Sequence, residues 1–263
     1  MYRNPLTPRA MVLLACLLGA GVLACVGAWQ WNSWQARHAQ APAEARVVAE
    51  QSPTAAPDPA DAYKDWHRPD GPPKIALQAG HWQATDAPDE LANIRGNGAR
   101  GGGMDEWEVN LAIAKLVAVQ LQKDGYAVDI LPATVPPEYF ADAFVAIHAD
   151  ERDDAARGYK VIPSHLGLAA APAASDALAA DLDARYATAT AFPQDPIVTD
   201  NMTAYYAFNW RTYHHALHPM TPAAIIETGY LSSARDRRVI VRSPRIPAAA
   251  IAKGIEDFMA SRK

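Results

Sequence analysis

"ADAFVAIHAD", residues 141–150, is the stretch that decides the fold. Ala143 to Ile147 form an unbroken apolar run, and such a run suits a parallel strand covered on both faces better than a half-exposed one. The run ends on His148, with Asp150 and Glu151 close behind. An imidazole there can be a mere strand-end residue. Two other segments change that reading.

Lys74 to Ala79 is a second short apolar run, and it leads into Gly80-His81. Pro222 to Gly229 is a third, and it leads into Glu227. Between the first two lies Glu106 to Asp124. There Val109, Ile113, Leu116 and Gln120 recur at three- and four-residue steps, with Ala112 and Val117 widening the apolar face. Gly125 stands where a left-handed residue commonly closes a helix. Tyr126 to Leu131 then reads as another strand. This alternation predicts an α/β fold: a mostly parallel twisted sheet flanked by helices, in a single globular domain.

Open sheets of this kind bind ligands beyond the carboxyl ends of their strands. His81, His148 and Glu227 all stand at such ends. Two imidazoles and a carboxylate suit zinc, with one coordination position left open. A further ligand is expected from the helix start, where Asp105, Glu106 and Glu108 cluster. Each of these acids has a competing explanation, because a carboxylate in a first helical turn gains about 0.3–1 kcal/mol from the helix dipole.

In combination, four segments resemble the zinc-dependent N-acetylmuramoyl-L-alanine amidases of type 3, which cleave bacterial peptidoglycan. They are "IALQAGH", "EWEVNLAIAKLVAVQLQKDGYAV", "ADAFVAIHAD" and "PAAIIETGYLSSARDRRVI". The resemblance implies that His81, Glu106 and His148 are zinc ligands and that Glu227 is the catalytic glutamate. It leaves Glu108 as an exposed acid and a reserve candidate ligand. The implied reaction is hydrolysis of the amide joining N-acetylmuramic acid to the L-alanine of the stem peptide. Zinc is the one cofactor called for, and peptidoglycan is the partner.

The chain also departs from the family. Trp82-Gln83 follows His81 where members usually carry two glycines, so an indole reshapes the entrance. The stretch 132–140 is shorter than the arginine-containing connection that many members have, and Tyr230 replaces a usual phenylalanine. These changes leave two further readings open: a wall-binding or regulatory protein with little turnover, and a zinc amidase or peptidase acting on another exported substrate.

The first seventy residues do not read as part of this core. Met11 to Trp31 carries no charge and is long enough for one bilayer crossing of roughly 30 Å. Arg3 and Arg9 precede it, which keeps the N-terminus cytoplasmic and exports the rest. The length and the flanking tryptophans favour an uncleaved anchor over a cleaved signal peptide. Cys25 after Val22-Leu23-Ala24 resembles a lipoprotein box, so a lipid anchor is the alternative. The expected organisation is therefore an anchor or signal segment over 1–34, an Ala- and Pro-rich linker over 35–72, and the catalytic domain over 73–263.

Both cysteines, Cys16 and Cys25, fall in the anchor, so no disulfide is expected in the exported part. Without Arg3 and Arg9 the net charge of −5 becomes −7, which argues against nucleic acid as a partner. His214 and His218 have the spacing of a helical metal pair, but His215 sits between them and Pro219 ends any helix at once. His38 and His67 read as solvated, and His165 as a possible cleft residue. Tyr205, Tyr206, Phe208 and Trp210 read as core or as a ligand platform. The Gly101–Gly103 run reads as a flexible rim, and residues 174–187 as a surface helix.

Overall fold

The computed structural model describes residues 58–152 and 156–262. The expected anchor, Cys25, His38 and most of the expected linker lie outside the described residues. Among those described, no helix is long and apolar enough to cross a membrane.

In chain order the elements are β1 (Lys74–Ala79), β2 (Arg100–Gly101), β3 (Met104–Asp105), α1 (Glu106–Lys123), β4 (Ala127–Leu131), β5 (Ala143–Asp150), β6 (Lys160–Pro163) and α2 (Ala171–Thr190). They continue with α3 (Asp200–Thr203), β7 (Ala223–Tyr230), α4 (Ala234–Ile240) and α5 (Arg245–Ser261). Five strands form the main sheet in the order β4-β1-β5-β7-β6. All its neighbours are parallel except β6, which runs antiparallel to β7 at the edge. The mixed α/β domain with a mostly parallel sheet is as expected. The edge strand β6 was not anticipated.

Strand periodicity sorts the apolar runs onto two faces. Ile75, Leu77, Val145, Ile147 and Ile226 face a core that includes Ile113 and Leu121 of α1, Leu178 and Leu182 of α2, and Ile251 and Ile255 of α5. Ala76, Phe144, Ala146 and Ile225 face a second cluster with Leu91, Val135, Phe208 and Leu217. The long helices thus share one face, while single turns and loops cover the other. Both faces are dry, which is why the strands read as continuous apolar runs. The segment read as a surface helix is instead a core element. Ala174, Leu178, Leu182 and Tyr186 recur every four residues along α2 and are all buried.

Two segments read as loose are ordered. Gly101 to Gly103 is no flexible rim: β2 pairs antiparallel with β3, and Gly102 and Gly103 turn the chain at φ of 62° and 81°. At the other end, the compact unit begins at Asp58. Residues 58–72, which composition places in the linker, are tied to it. Arg68 donates to both carboxylate oxygens of Asp142 at 2.5 and 2.8 Å, and the Asp142 carboxylate also accepts from the Lys74 backbone at 2.7 Å. Trp66 lies against Phe140 and His218, with ring centroids 4.8 and 4.7 Å away.

Candidate metal centre

The sheet's second face and its carboxyl edge build the site. β5 and β7 are paired in register, with His148 opposite Glu227. One residue alternation back, Gln78 of β1 stands opposite Ala146. Gln78, His148 and Glu227 therefore project from the same face. His81 follows β1 in the left-handed region at φ 63°, after Gly80 has donated its backbone N–H to Ile147 at 2.9 Å. Gly80 is required there: a Cβ on it would lie 2.5 Å from Nε2 and 2.6 Å from Nδ1 of His148. The Gly-His pair thus delivers one imidazole while making room for the other.

Glu106 opens α1 and is buried. Its Oε1 lies 3.0 Å from His148 Nδ1 and accepts from the Ala149 backbone at 3.1 Å and from Asn110 Nδ2 at 3.1 Å. Its Oε2 accepts from the Ala99 backbone at 2.7 Å and lies 3.4 Å from His81 Nε2. Asn110, one turn along α1, also donates to the Gly80 carbonyl at 3.1 Å, which locks the helix start to the end of β1. Glu108 does not enter the site. It accepts from the Asp105 backbone N–H at 2.9 Å, so it caps the helix rather than standing as a free acid.

One ligand atom from each of His81, Glu106 and His148 can be chosen so that all three lie within 4.8 Å of one another. A tetrahedral ion with bonds of about 2.1 Å places its ligand atoms about 3.4 Å apart. The observed spacings therefore suit zinc-sized coordination. The tautomer of His148 points the same way. Its Nε2 lies 3.2 Å from the Tyr205 hydroxyl, which itself donates to Gln78 Oε1 at 2.7 Å. Gln78 is fixed in turn by donating to the Ala133 carbonyl at 2.9 Å and to the Tyr206 hydroxyl at 2.8 Å. With its own hydrogen committed to Gln78, the Tyr205 oxygen is left to accept from Nε2–H. Nδ1 then faces a carboxylate oxygen at 3.0 Å, and two lone pairs at that distance need a cation or a proton between them.

The electrostatics follow from this geometry. Burial pushes the Glu106 carboxyl up, but the His148 hydrogen bond and the two neighbouring imidazoles outweigh it and hold it well below the usual range. Burial lowers the His81 imidazole, against the opposing pull of Glu106. Burial lowers His148 too, but its hydrogen bond to Glu106 prevails and the net direction is upward.

Glu227 is different. Burial first, then the charges of Glu106 and Asp150, push its carboxyl up to about 8, against the opposing pull of His148 and Lys160. Its Oε2 is buried and makes no hydrogen bond. It shares a cleft of about 780 Å³ with His81, Glu106, His148 and Tyr205.

The other described histidines stay apart from this group. Residues 214–218 form no helix, and His215 Nδ1 pairs with Glu90 at 2.5 Å. His218 sits among Tyr63, Trp66 and Phe140. His165 does not line the cleft and pairs with Asp176 at 2.7 Å. His67 is exposed. Tyr205, read from the sequence as core or ligand platform, is a partner of His148, and Gln78 and Asn110 were not singled out at all; the Tyr205 contact spans 57 positions and no local spacing signals it.

A model of the family described as "N-acetylmuramoyl-L-alanine amidase" matches residues 75–257. Among solved structures, the fold is similar to the N-acetylmuramyl-L-alanine amidase Ami1 of Mycobacterium smegmatis, at 19% identity and a TM-score of 0.55, covering 72% of this chain and 97% of that one. It is also similar to the apo form of Ami1 from Mycobacterium abscessus, at 18% identity and a TM-score of 0.52, covering 71% and 98%. An N-acetylmuramoyl-L-alanine amidase from Clostridium difficile 630 is similar at 18% identity and a TM-score of 0.51, covering 73% and 99%. At these identities the likeness is one of fold. No curated protein matches.

Proposed function

Because the chain belongs to the N-acetylmuramoyl-L-alanine amidase family, we propose that it hydrolyses the amide between N-acetylmuramic acid and the L-alanine of the stem peptide, with zinc held by His81, Glu106 and His148. One observation carries this reading. The three side chains converge within 4.8 Å beside Glu227, whose buried Oε2 has no partner.

Each side chain has a part. His81 and His148 offer imidazole nitrogens, and Glu106 offers a carboxylate held anionic by its surroundings. When bound, a divalent zinc ion supplies activation of water and polarisation of a carbonyl. Tyr205 and Gln78 fix the ring of His148 through its second nitrogen, as outer partners of metal-binding histidines commonly do. Glu227 is the proton carrier: its carboxyl shares the cleft with the three ligands, and its buried Oε2 has no competing hydrogen bond. The proton it takes goes to the leaving amine of L-alanine. The products are a glycan keeping its lactyl carboxylate and a peptide beginning with L-alanine.

The same reading places the domain outside the cytoplasm, where the wall is, with the uncharged segment Met11–Trp31 as its tether. The test is incubation of the protein with purified peptidoglycan and analysis of the products by mass. Peptides with a free L-alanine amine, paired with intact lactyl glycan, are expected. Cleavage elsewhere in the stem, or zinc binding without release, would replace this reading with a peptidase or a wall-binding protein respectively.

A further inference from the structure

A second pocket of about 390 Å³ adjoins the large cleft and shares His81, Glu106 and the segment 97–99 with it. The metal set thus lies where two spaces meet. The substrate has two chemically unlike halves joined at the scissile bond, a glycan and a peptide, and they must leave that bond in different directions.

The two spaces differ in kind. In the smaller, each of two proposed metal ligands is followed in sequence by a tryptophan: His81 by Trp82, Glu106 by Trp107. Trp107 is 38% exposed, one of few large apolar side chains so displayed. Trp82 is partly buried against the core. Gln83, Thr85 and Asn97 add neutral polar groups, and the outlying charges Arg100 and Asp105 pair with each other at 2.9 Å. Apart from the shared His81 and Glu106, this is an aromatic, hydrogen-bonding space without an unpaired charge. The larger cleft is charged: Asp150, Glu151 and Arg152 line it, and the Arg152 guanidinium pairs with Asp195 at 3.4 Å. The same guanidinium lies 5.2 Å from the centre of the Tyr230 ring.

We infer that the smaller pocket is the glycan subsite, with the indole of Trp107 as the face on which a sugar ring lies, and that the peptide occupies the larger cleft. The inference rests on the amidase reading. An amide-linked muramyl glycan carries no charge and presents C–H faces that suit an indole, while its hydroxyls and acetamido groups suit Gln83, Thr85 and Asn97. A stem peptide carries ionised groups, which suit the charged lining of the larger cleft, Asp150, Glu151 and Arg152, better than the aromatic lining of the smaller. Trp82, which at first sight only narrows the entrance, becomes the wall of the subsite.

The test is calorimetric binding to the full-length protein of two probes: the disaccharide of N-acetylglucosamine and N-acetylmuramic acid with its lactyl carboxyl capped as the methylamide, so that it is uncharged as in the substrate, and a free stem tetrapeptide. Trp107→Ala weakens the disaccharide about tenfold, the upper end of what one aromatic face contributes. The same variant changes the tetrapeptide affinity less than about twofold. Trp107→Phe, which keeps an aromatic face, restores disaccharide binding. Unchanged disaccharide affinity in Trp107→Ala, or equal weakening of both probes, overturns the subsite. Peptide release from the wall by a wild-type protein that binds no disaccharide also overturns the subsite and leaves the amidase reading standing. Sugar binding without peptide release removes the amidase reading alone.

Discussion

His148 Nδ1 and Glu106 Oε1 lie 3.0 Å apart, although 42 residues separate them in the chain. One comes from the end of a parallel strand and the other from the first turn of a helix. Their approach is set by elements that share a core, so the pair is as rigid as the fold. Changes that move either partner by a few tenths of an ångström should register at the metal before they register in stability.

Gly80 gives the sharpest case. A methyl group there meets the His148 ring at 2.5 and 2.6 Å from its two nitrogens, and the ring has to move. Gly80→Ala is expected to weaken zinc affinity by roughly 10- to 100-fold, the range seen when support of a ligand is lost. The destabilisation is expected to be only about 1–3 kcal/mol, as for overpacking. Titration against a competing chelator, alongside urea unfolding, separates the two effects.

Tyr205→Phe removes one hydroxyl and almost no volume. His148 Nε2 then loses its 3.2 Å partner, and Gln78 Oε1 loses the donor at 2.7 Å. Zinc affinity is expected to fall by about 10-fold or more with the fold intact. Circular dichroism and chelator competition on the same sample check both halves.

Residues 58–72 are expected to stabilise the domain although composition marks them as linker. A chain begun at Pro73 loses the Arg68–Asp142 pair and the packing of Trp66 on Phe140. The pair is partly exposed and contributes little. The indole's burial dominates, so the expected loss is about 1–3 kcal/mol. Equilibrium urea unfolding of both chains measures it.

Asp195 gives a pH dependence outside the proposed ligand set. Burial raises its carboxyl, but hydrogen bonds from the Tyr230 hydroxyl and the Ile197 backbone, with Lys160 and Arg152 nearby, outweigh that and lower it. A carboxyl depressed in the folded state adds stability that is fully present above its unfolded value of about 3.9 and is lost as pH falls through the lower folded value. Asp195→Asn is therefore expected to lower Tm at pH 7 and to lose less Tm than wild type between pH 5 and pH 3. Parallel thermal scans across that range check it.

Much of the fold was legible in residues 74–79, 143–150 and 223–230, because both sheet faces are dry and the strands are apolar without alternation. The helix at 106–123 was legible from its three- and four-residue steps. β6 was not, because it carries Lys160 and Pro163, and the buried Lys160 is held by ion pairs with Asp150 and Asp195 that only the fold assembles. The cap formed by Asp105 and Glu108 was readable as a three-residue spacing of acids. The four-residue apolar stripe of α2 was also present in the sequence. The partnership of Tyr205 with His148 was not, since only the folded sheet brings them together.

The central claim is that His81, Glu106 and His148 share one divalent ion while Glu227 serves the chemistry and not the metal. Zinc content per chain, measured on the purified full-length protein and its variants, tests this most directly. Wild type and Glu227→Ala are expected to hold one equivalent and His148→Ala almost none, with amidase activity surviving in wild type alone. A full zinc complement in His148→Ala, or full activity in Glu227→Ala, would contradict the account.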